Sequence, residues 1–263
     1  MTSKPLILVT NDDGIYAPGI YALYNAMKKI GDARVVAPEM EQSAVGHALT
    51  ISDPLRVSEV DRYGDIFGHA VNGTPADCIK IAYWALLQAQ PDIIISGINL
   101  GANTGINVIY SGTVSAATEG TILQIPSFAV SLSTYTAPNF DYAARFAAEL
   151  AEKVLDHGLP RGTYLNVNVP NFPEEEIAGV LVTRQGLSNY KERFDRRVDP
   201  QNRVYYWLTG KKVEVEAEGD VDDRAIINKM VSITPLHYDL TNYSFLEELK
   251  SWDVQRSREA NSK

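Results

Sequence analysis

Two adjacent carboxylates, Asp12 and Asp13, are the residues of this chain whose types and spacing most strongly indicate chemistry. They lie in the segment 11–14 (NDDG), directly after the apolar run 6–10 (LILVT), which predicts a strand buried on both faces. Two carboxylates at the end of a buried strand repel each other unless a cation neutralises them. Asn, Asp and Gly are also common turn residues, so the segment alone fits a solvated turn equally well.

Three further segments follow other predicted strands or begin a helix. Residues 41–47 (EQSAVGH) contain Ser43, residues 96–103 (SGINLGAN) contain Asn99, and residues 110–114 (YSGTV) begin a helix of small residues. Each segment by itself also has a purely structural interpretation. Ser43 could be a loop hydroxyl, Asn99 could serve a left-handed backbone conformation, and residues 110–114 could provide only a helix N-cap. Because ligands collect beyond the carboxyl ends of the strands in open α/β sheets, we expect these segments to meet there.

Taken together, the segments predict a cation next to an anion site. An all-oxygen ligand set suits Mg²⁺, Mn²⁺ or Ca²⁺ rather than zinc. Such a set is offered by Asp12, Asp13, Ser43 and Asn99. Hydroxyls and unpaired backbone N–H groups at the helix start 111–114 suit a phosphate. A hard cation beside an anion site is the arrangement of phosphoryl chemistry.

Strands and helices that could position these residues alternate through residue 156. The alternation implies right-handed crossovers, so we predict an α/β fold with a Rossmann-like, doubly wound parallel sheet. The predicted strands cover residues 6–10, 33–37, 92–96 and 127–132. The predicted helices run from Pro18 to Gly31, from a capping box at Thr74 and Asp77 through Leu86, over about 112–123, and over 141–156.

From about residue 163 the pattern changes. Residues 164–169 (YLNVNV) and 180–183 alternate like exposed or antiparallel strands, and residues 204–208 with 213–217 predict a hairpin. Residues 232–235 predict one more strand and 246–252 a short helix, while the polar last ten residues are expected to fray. We therefore interpret residues 1–263 as one domain, with about 163–252 forming extra strands and an oligomerisation arm.

The motifs in their joint order resemble those of the SurE family of survival-protein nucleotidases. The resemblance covers about residues 5–250. It rests on the segments 11–14, 42–50 (QSAVGHALT), 72–77 (NGTPAD), 96–103, 110–114, 183–186 (TRQG) and 231–236 (VSITPL). It implies a metal-dependent 5′-nucleotidase, a phosphoric monoester hydrolase that acts on nucleoside 5′-monophosphates. It also implies side activity on 3′-nucleotides and short polyphosphate.

The resemblance also assigns roles to individual residues. One divalent metal ion per subunit, Mg²⁺ or Mn²⁺, would be held by Asp12, Asp13, Ser43 and Asn99. The phosphate and its ester would meet Asn11, Asn103, Ser111, Gly112 and Thr113, with Gly46 and His47 nearby.

Asp12 and Asp13 are also the expected catalytic residues, and two routes for cutting the ester remain open. The adjacent acids do not match the D-x-D pattern of aspartyl-phosphate phosphatases, and a carboxylate bound to a metal is a poor nucleophile. We therefore favour metal-activated water as the nucleophile, with either aspartate as the alternative.

The bulk composition limits the partners. The formal net charge of −9 argues against a nucleic-acid polymer, and the single cysteine, Cys78, excludes an intrachain disulfide. The apolar run near the N-terminus is too short for a signal peptide, and no run has the length of a membrane span. We expect a cytoplasmic protein with a nucleoside monophosphate as substrate and no membrane partner.

Other functions fit the sequence less well. A dinucleotide-dependent oxidoreductase needs G-x-G-x-x-G after the first strand, and a P-loop kinase needs G-x-x-x-x-G-K-[ST]; neither motif is present. A non-catalytic nucleotide sensor stays open, although the acid pair would repel its anionic ligand.

Aromatic residues of the second half have two interpretations, a wall for the nucleotide base or an oligomer contact. We favour the contact, and hence a homodimer or homotetramer. The residues are Tyr190, Phe194, Tyr205, Tyr206 and Trp207.

Overall fold

The computed structural model describes residues 4–62, 65–213 and 219–252. Its strands are β1 Leu6–Thr10, β2 Asp32–Pro38, β3 Val57–Arg62, β4 Asp65–Val71, β5 Ile93–Leu100, β6 Ser127–Ser133, β7 Thr163–Pro170, β8 Gly179–Val182, β9 Asn189–Val198, β10 Val204–Val213 and β11 Met230–His237. Its α-helices are α1 Pro18–Met27, α2 Pro75–Ile81, α3 Gly112–Ile122, α4 Asp141–His157, α5 Asp222–Ile227 and α6 Tyr243–Lys250.

A nine-stranded, mostly parallel sheet in the order β3-β4-β2-β1-β5-β6-β7-β11-β8 forms the centre of the fold. Successive residues of β1 face opposite sides of it: Ile7 and Val9 join a core cluster with residues of α1 and α4, and Leu8 joins one with residues of α2 and α3. The predicted α/β, doubly wound architecture is therefore confirmed.

The order of the strands reverses beside β1. From β1 the chain moves to β2 on one side and later returns to β5 on the other side, and both ladders are parallel. A cleft at such a switch point, beyond the carboxyl ends of the strands, is where open α/β sheets bind ligands. The Asp12–Asp13 pair follows β1 at this point.

Two helices of the first half begin where the sequence predicts. The capping box of α2 is formed, because Thr74 Oγ1 accepts a hydrogen bond from Asp77 N–H and Asp77 Oδ2 accepts one from Thr74 N–H. Cys78 is buried on this helix. Small residues let α3 approach the sheet, and its residues from Gly112 to Thr121 are all buried. The chain after α2 continues as a π-helix, Ala82–Leu86, which the sequence did not indicate.

Residues 164–169, predicted to be an exposed or antiparallel strand, do pair antiparallel with one neighbour but are not exposed. Both faces of β7 are largely buried, because it pairs parallel with β6 and antiparallel with β11 inside the main sheet. Its alternation comes instead from two buried polar residues, Asn166 and Asn168.

The predicted hairpin of residues 204–208 with 213–217 is wrong. Residues Val204–Leu208 pair with Phe194–Val198, since β9 and β10 form a separate two-stranded ribbon. Both faces of β9 contain exposed residues, so its sequence shows no apolar alternation. Residues 214–217 of the predicted strand, and the last ten residues of the chain, lie outside the described part.

Several elements differ from the prediction in existence or extent. The edge strand β3, its neighbour β4 and the short helix α5 were not predicted. Strand β5 extends through Leu100, four residues beyond its predicted end. Within the described ranges, none of the helices combines the length and apolar character needed to cross a membrane.

Candidate active site

The carboxylates of Asp12 and Asp13 connect three elements at the switch point. Asp12 is 4% exposed, and its Oδ1 accepts a hydrogen bond from the hydroxyl of Thr113 in the first turn of α3. Asp13 Oδ2 accepts one from the backbone N–H of Leu100, the last residue of β5, at 3.2 Å. The acid pair, the end of β5 and the start of α3 therefore lie together, as the sequence led us to expect.

Burial makes two negative charges unfavourable here. It raises the pKa of Asp12, although hydrogen bonds from Thr113 act in the opposite direction. Burial, together with the neighbouring charge of Asp12, raises the pKa of Asp13 to about 7. A cation between the carboxylates would remove the cause of both shifts.

The N-terminus of α3 is in direct contact with Asp12. A Cβ atom on Gly112 would lie 2.8 Å from Cβ of Asp12 and 3.2 Å from the carbonyl oxygen of Gln42, so only glycine fits. Ser111 is the N-cap and accepts a hydrogen bond from the Val114 N–H at 3.1 Å. The helix thus presents its first backbone N–H groups at the acid pair, where an anion would be stabilised.

Ser43 lies on a loop of residues 42–50, which we call the Ser43 loop and which backbone hydrogen bonds attach to Asp12 and Tyr110. The N–H of Gln42 donates to the carbonyl of Asp12 at 2.7 Å, and the N–H of Gly46 donates to the carbonyl of Tyr110 at 3.0 Å. Ser43 is exposed, and its hydroxyl donates to Glu41 Oε1 at 2.6 Å. Ala44 and Gly46 both adopt positive φ angles of 57° and 59°, so the backbone turns sharply just after Ser43.

Asn99 lies at an irregular point of the sheet. The register between β5 and β6 shifts between Ser96 and Asn99, a local change that re-aims a side chain. The amide nitrogen of Asn99 donates to the carbonyl of Gly101 at 2.7 Å. This bond uses the nitrogen, so the amide oxygen is the atom that Asn99 can offer to a cation.

Asn103 is held by two buried asparagines of β7. Its N–H donates to Asn168 Oδ1 at 2.8 Å, and its carbonyl accepts from Asn166 Nδ2 at 2.7 Å and from Asn168 Nδ2 at 3.1 Å. Its side-chain nitrogen donates to the hydroxyl of Ser131 at 2.9 Å. These bonds fix both the backbone and the side chain of Asn103.

The residues after Asn103 are anchored to α5. Asp222 is fully buried and accepts hydrogen bonds from the N–H groups of Gly105 and Gly186. Asp223 accepts from the hydroxyl of Thr104 at 2.6 Å, and it also forms an ion pair with Lys212. Burial raises the pKa of Asp222. The second half of the chain thus holds a loop of the first half.

His47 contacts an acidic residue of α3. Its Nε2 lies 2.8 Å from Oε2 of Glu119, whose Oε1 lies 2.6 Å from Nζ of Lys80. Burial acts to raise the pKa of Glu119, but hydrogen bonds from His47 and Lys80 outweigh it and hold that pKa below its ordinary value.

The donor set fits a divalent cation. Three buried oxygen atoms near the carboxyl end of β1 have no hydrogen-bond partner among the described residues, namely Thr10 Oγ1, Asn11 Oδ1 and Oγ of Ser96, which pairs with Thr10 across the sheet. Nor does any group of three or more His, Cys, Asp or Glu side chains within those residues form a metal-binding cluster. A cation at this edge would therefore depend on the two aspartates together with Ser and Asn oxygens, a set that suits a hard ion.

The sequence did not indicate the residues that hold the site residues and their loops in place through hydrogen bonds and ion pairs. These are Lys80, Glu119, Asn166, Asn168, Asp222 and Asp223. The Asn-x-Asn pattern between apolar residues was a usable signal for two of them, since polar residues inside a buried strand need hydrogen-bond partners.

Comparisons with known proteins identify the family of the chain. The family model described as "Survival protein SurE" matches residues 7–192. A protein of Syntrophobacter fumaroxidans named "5'-nucleotidase SurE" is 52% identical over 248 residues, which cover 94% of this chain and 99% of that protein. A protein of Geobacter sulfurreducens with the same name is 50% identical over 253 residues, which cover 96% of this chain and 95% of that protein. The crystal structure of the SurE protein from Aquifex aeolicus superposes with a TM-score of 0.83 at 44% identity and covers 94% of this chain and 99% of that one. The chain belongs to the SurE family of survival proteins.

Proposed function

We propose that this hydrolase is a divalent-metal-dependent phosphomonoesterase that converts nucleoside 5′-monophosphates to nucleoside and phosphate. The contact of Asp12 with the first turn of α3 carries the proposal, because it joins a candidate cation site to a candidate phosphate site. The name shared by the curated relatives supports the choice of substrate.

The ligands of the cation would be Asp12, Asp13, Ser43 and Asn99. When bound, one Mg²⁺ or Mn²⁺ ion would neutralise the acid pair and lower the pKa of a coordinated water. The N-terminus of α3 would stabilise the charge on the phosphate oxygens, because its N–H groups are preorganised there. The remaining phosphate contacts would come from Asn11, Gly46, Asn103, Ser111, Gly112 and Thr113, with His47 beside them.

A panel of metals and substrates tests the activity. Purified protein freed of metal with a chelator should release no phosphate from nucleoside 5′-monophosphates, and added Mg²⁺ or Mn²⁺ should restore release. We expect weaker activity on 3′-nucleotides and short polyphosphate. Full activity in chelator would exclude the metal, and nucleotide binding without phosphate release would favour a sensor.

The nucleophile is proposed to be water rather than Asp12 or Asp13. Both carboxylates accept hydrogen bonds and would also bind the cation, so their lone pairs are engaged. The stereochemical course at an isotopically chiral phosphorus distinguishes the two routes. A single displacement by water inverts the configuration at phosphorus. Retention of configuration would indicate two displacements and a covalent aspartyl phosphate.

We further propose a single-domain, cytoplasmic subunit that assembles into a homodimer or homotetramer and binds no nucleic-acid polymer. The ribbon of β9 and β10 supports assembly, because an isolated two-stranded ribbon with large exposed apolar residues is only marginally stable in water.

A further inference from the structure

The Ser43 loop lies on the protein with little apolar burial. Leu49 is 43% exposed, and Ile51, just after the loop, is 88% exposed. The second half of the loop is held to α2 by polar contacts, since Thr74 Oγ1 donates to the carbonyl of Ala48 at 2.8 Å and the N–H of Thr50 donates to Asp77 Oδ1 at 3.1 Å. The position of the loop therefore depends on a few hydrogen bonds.

One contact of this loop differs from the others, because it is a hydrogen bond to a buried carboxylate that Lys80 also contacts. The side chain of Glu119 is 3% exposed and receives His47 of the loop on one oxygen and Lys80 of α2 on the other. Charge-assisted hydrogen bonds are stronger and shorter than neutral ones. Such a cluster adds little to the stability of the fold, because the cost of desolvating a buried charge offsets its attraction to its partners. A role other than stability therefore has to be considered.

Glu119 lies on the same helix as the candidate phosphate site. It follows Gly112 by seven residues, which is about two turns or about 10 Å along one face of an α-helix. Helix α3 therefore contacts the acid pair with its first turn and the Ser43 loop with Glu119. A rigid helix that holds both would fix the spacing between Ser43 and the acid pair.

We propose that Glu119, supported by Lys80, is a positioning residue that holds the Ser43 loop in its binding geometry through His47. The proposal rests on the proposed function, because it takes Ser43 as a cation ligand. Glu119 contacts neither the cation nor the substrate and acts only through the loop.

The test is the variant Glu119→Gln, compared with Glu176→Gln, which removes a similar acid from an exposed ion pair with Lys229. Two quantities are measured well below the unfolding temperature: Mn²⁺ affinity by titration calorimetry, and hydrogen exchange of the backbone N–H groups of residues 42–50 without metal. We expect Glu119→Gln to weaken Mn²⁺ binding about tenfold, the scale seen when residues that orient metal ligands are lost. In this variant the backbone N–H groups of the Ser43 loop should exchange faster, while those of β1 should exchange at an unchanged rate. Saturating Mn²⁺ should restore kcat. Glu176→Gln should change none of these.

The exchange measurement separates this proposal from the proposed function. If the loop exchanges faster in Glu119→Gln but the unaltered protein binds no Mn²⁺, the loop contact stands and the metal assignment fails. Unchanged exchange and unchanged affinity in Glu119→Gln would overturn the proposal. Should that variant fail to fold, His47→Ala removes the same contact from the solvent side, and an unchanged exchange rate in its loop would overturn the proposal equally.

Discussion

The pKa values of Asp12 and Asp13 are raised because burial at the end of a central strand desolvates both carboxyl groups. Asn11 and both acids follow a strand of the sheet's centre, where water cannot solvate two charges fully. The acid pair, Ser43, Asn99 and the start of α3 were predicted as site residues because each is an unusual segment at a strand end or a helix start, and the structure places the acid pair against α3. The sequence could not predict Glu119 or Lys80, since a charged residue on a helix is ordinarily solvated and only packing shows that Glu119 is buried.

The first prediction concerns Asp13→Asn. The folded-state pKa of Asp13 is raised to about 7, so its ionisation destabilises the metal-free fold fully above pH 7 and not at all below its ordinary pKa, near 3.8. The free energy of unfolding of metal-free Asp13→Asn should therefore exceed that of the unaltered protein by about 1–2 kcal/mol at pH 8. This difference should shrink as the pH falls towards 4. Thermal melts across this range check it, with Asp32→Asn, from an exposed ion pair with Arg34, as control. A gain that is equal at all pH values would contradict it.

The second prediction concerns Gly112→Ala. The added Cβ would clash with Asp12, so α3 or the acid pair must shift by several tenths of an ångström. Because catalytic geometry tolerates little displacement, phosphate release should fall about 100-fold. Steady-state kinetics measures the loss. Gly158→Ala is the control: it replaces a glycine at φ 70° with nothing within 4 Å, and should lower stability without affecting kcat. Equal kinetics in both variants would count against the site.

At the scale of elements, strands with continuous apolar runs were predicted best, whereas β4 was missed although its Phe67, Ala70 and Val71 are buried. Strands β1, β5 and β6 are buried on both faces and appear in the sequence as continuous apolar runs, so they were found. The edge strand β3 and the exposed β9 bury few residues, so neither has an apolar pattern. Strand β7 was found and has the antiparallel neighbour that was one of its two predicted readings, but it is not exposed, because buried asparagines imitate the alternation of an exposed strand.

Strand β7 leads to the third prediction, Asn168→Leu. The change leaves the N–H of Asn103 without a partner and removes one of two donors to its carbonyl. We expect a stability loss of about 2–3 kcal/mol, measured by denaturant unfolding, together with at least a tenfold loss in kcat/KM.

Asn171→Leu is the matched control for Asn168→Leu. Asn171 also holds a loop through both side-chain atoms, accepting from Asn139 N–H and donating to the carbonyl of Ala137, but it does so at the surface. Its replacement should lower stability by less and leave kcat/KM unchanged. If both variants lost activity alike, the effect of Asn168 would be on stability alone.

At the scale of the whole molecule, one face of the ribbon of β9 and β10 carries an apolar cluster interrupted by Arg196, while Tyr205 and Trp207 lie on the other face. The pairing register places Phe194 opposite Leu208 and Val198 opposite Val204, with Tyr206 between them on the same face. All five side chains are exposed, and this is the face on which we expect another subunit to pack.

The fourth prediction follows from this apolar cluster. Leu208→Glu places a charge in the proposed contact and should shift the protein from a dimer or tetramer towards a monomer at micromolar concentration. Light scattering after size-exclusion chromatography measures the mass. Ile66→Glu adds the same charge at an equally exposed apolar residue of β4, outside the ribbon, and should leave the mass unchanged. A monomeric unaltered protein would refute the assembly.

The bonds that fix Asn103 and its neighbours also set an order of events during synthesis. Thr104 and Asp223 are 119 residues apart, and Gly105 and Asp222 are 117 apart. A ribosome releases the acid pair, the Ser43 loop and Asn103 long before it adds the two carboxylates of α5, while the N-terminal part of a chain folds first. A nascent chain therefore carries every proposed ligand of the cation while the residues after Asn103 are still unanchored. Newly made molecules should acquire their mature site only after most of the 263 residues have been translated.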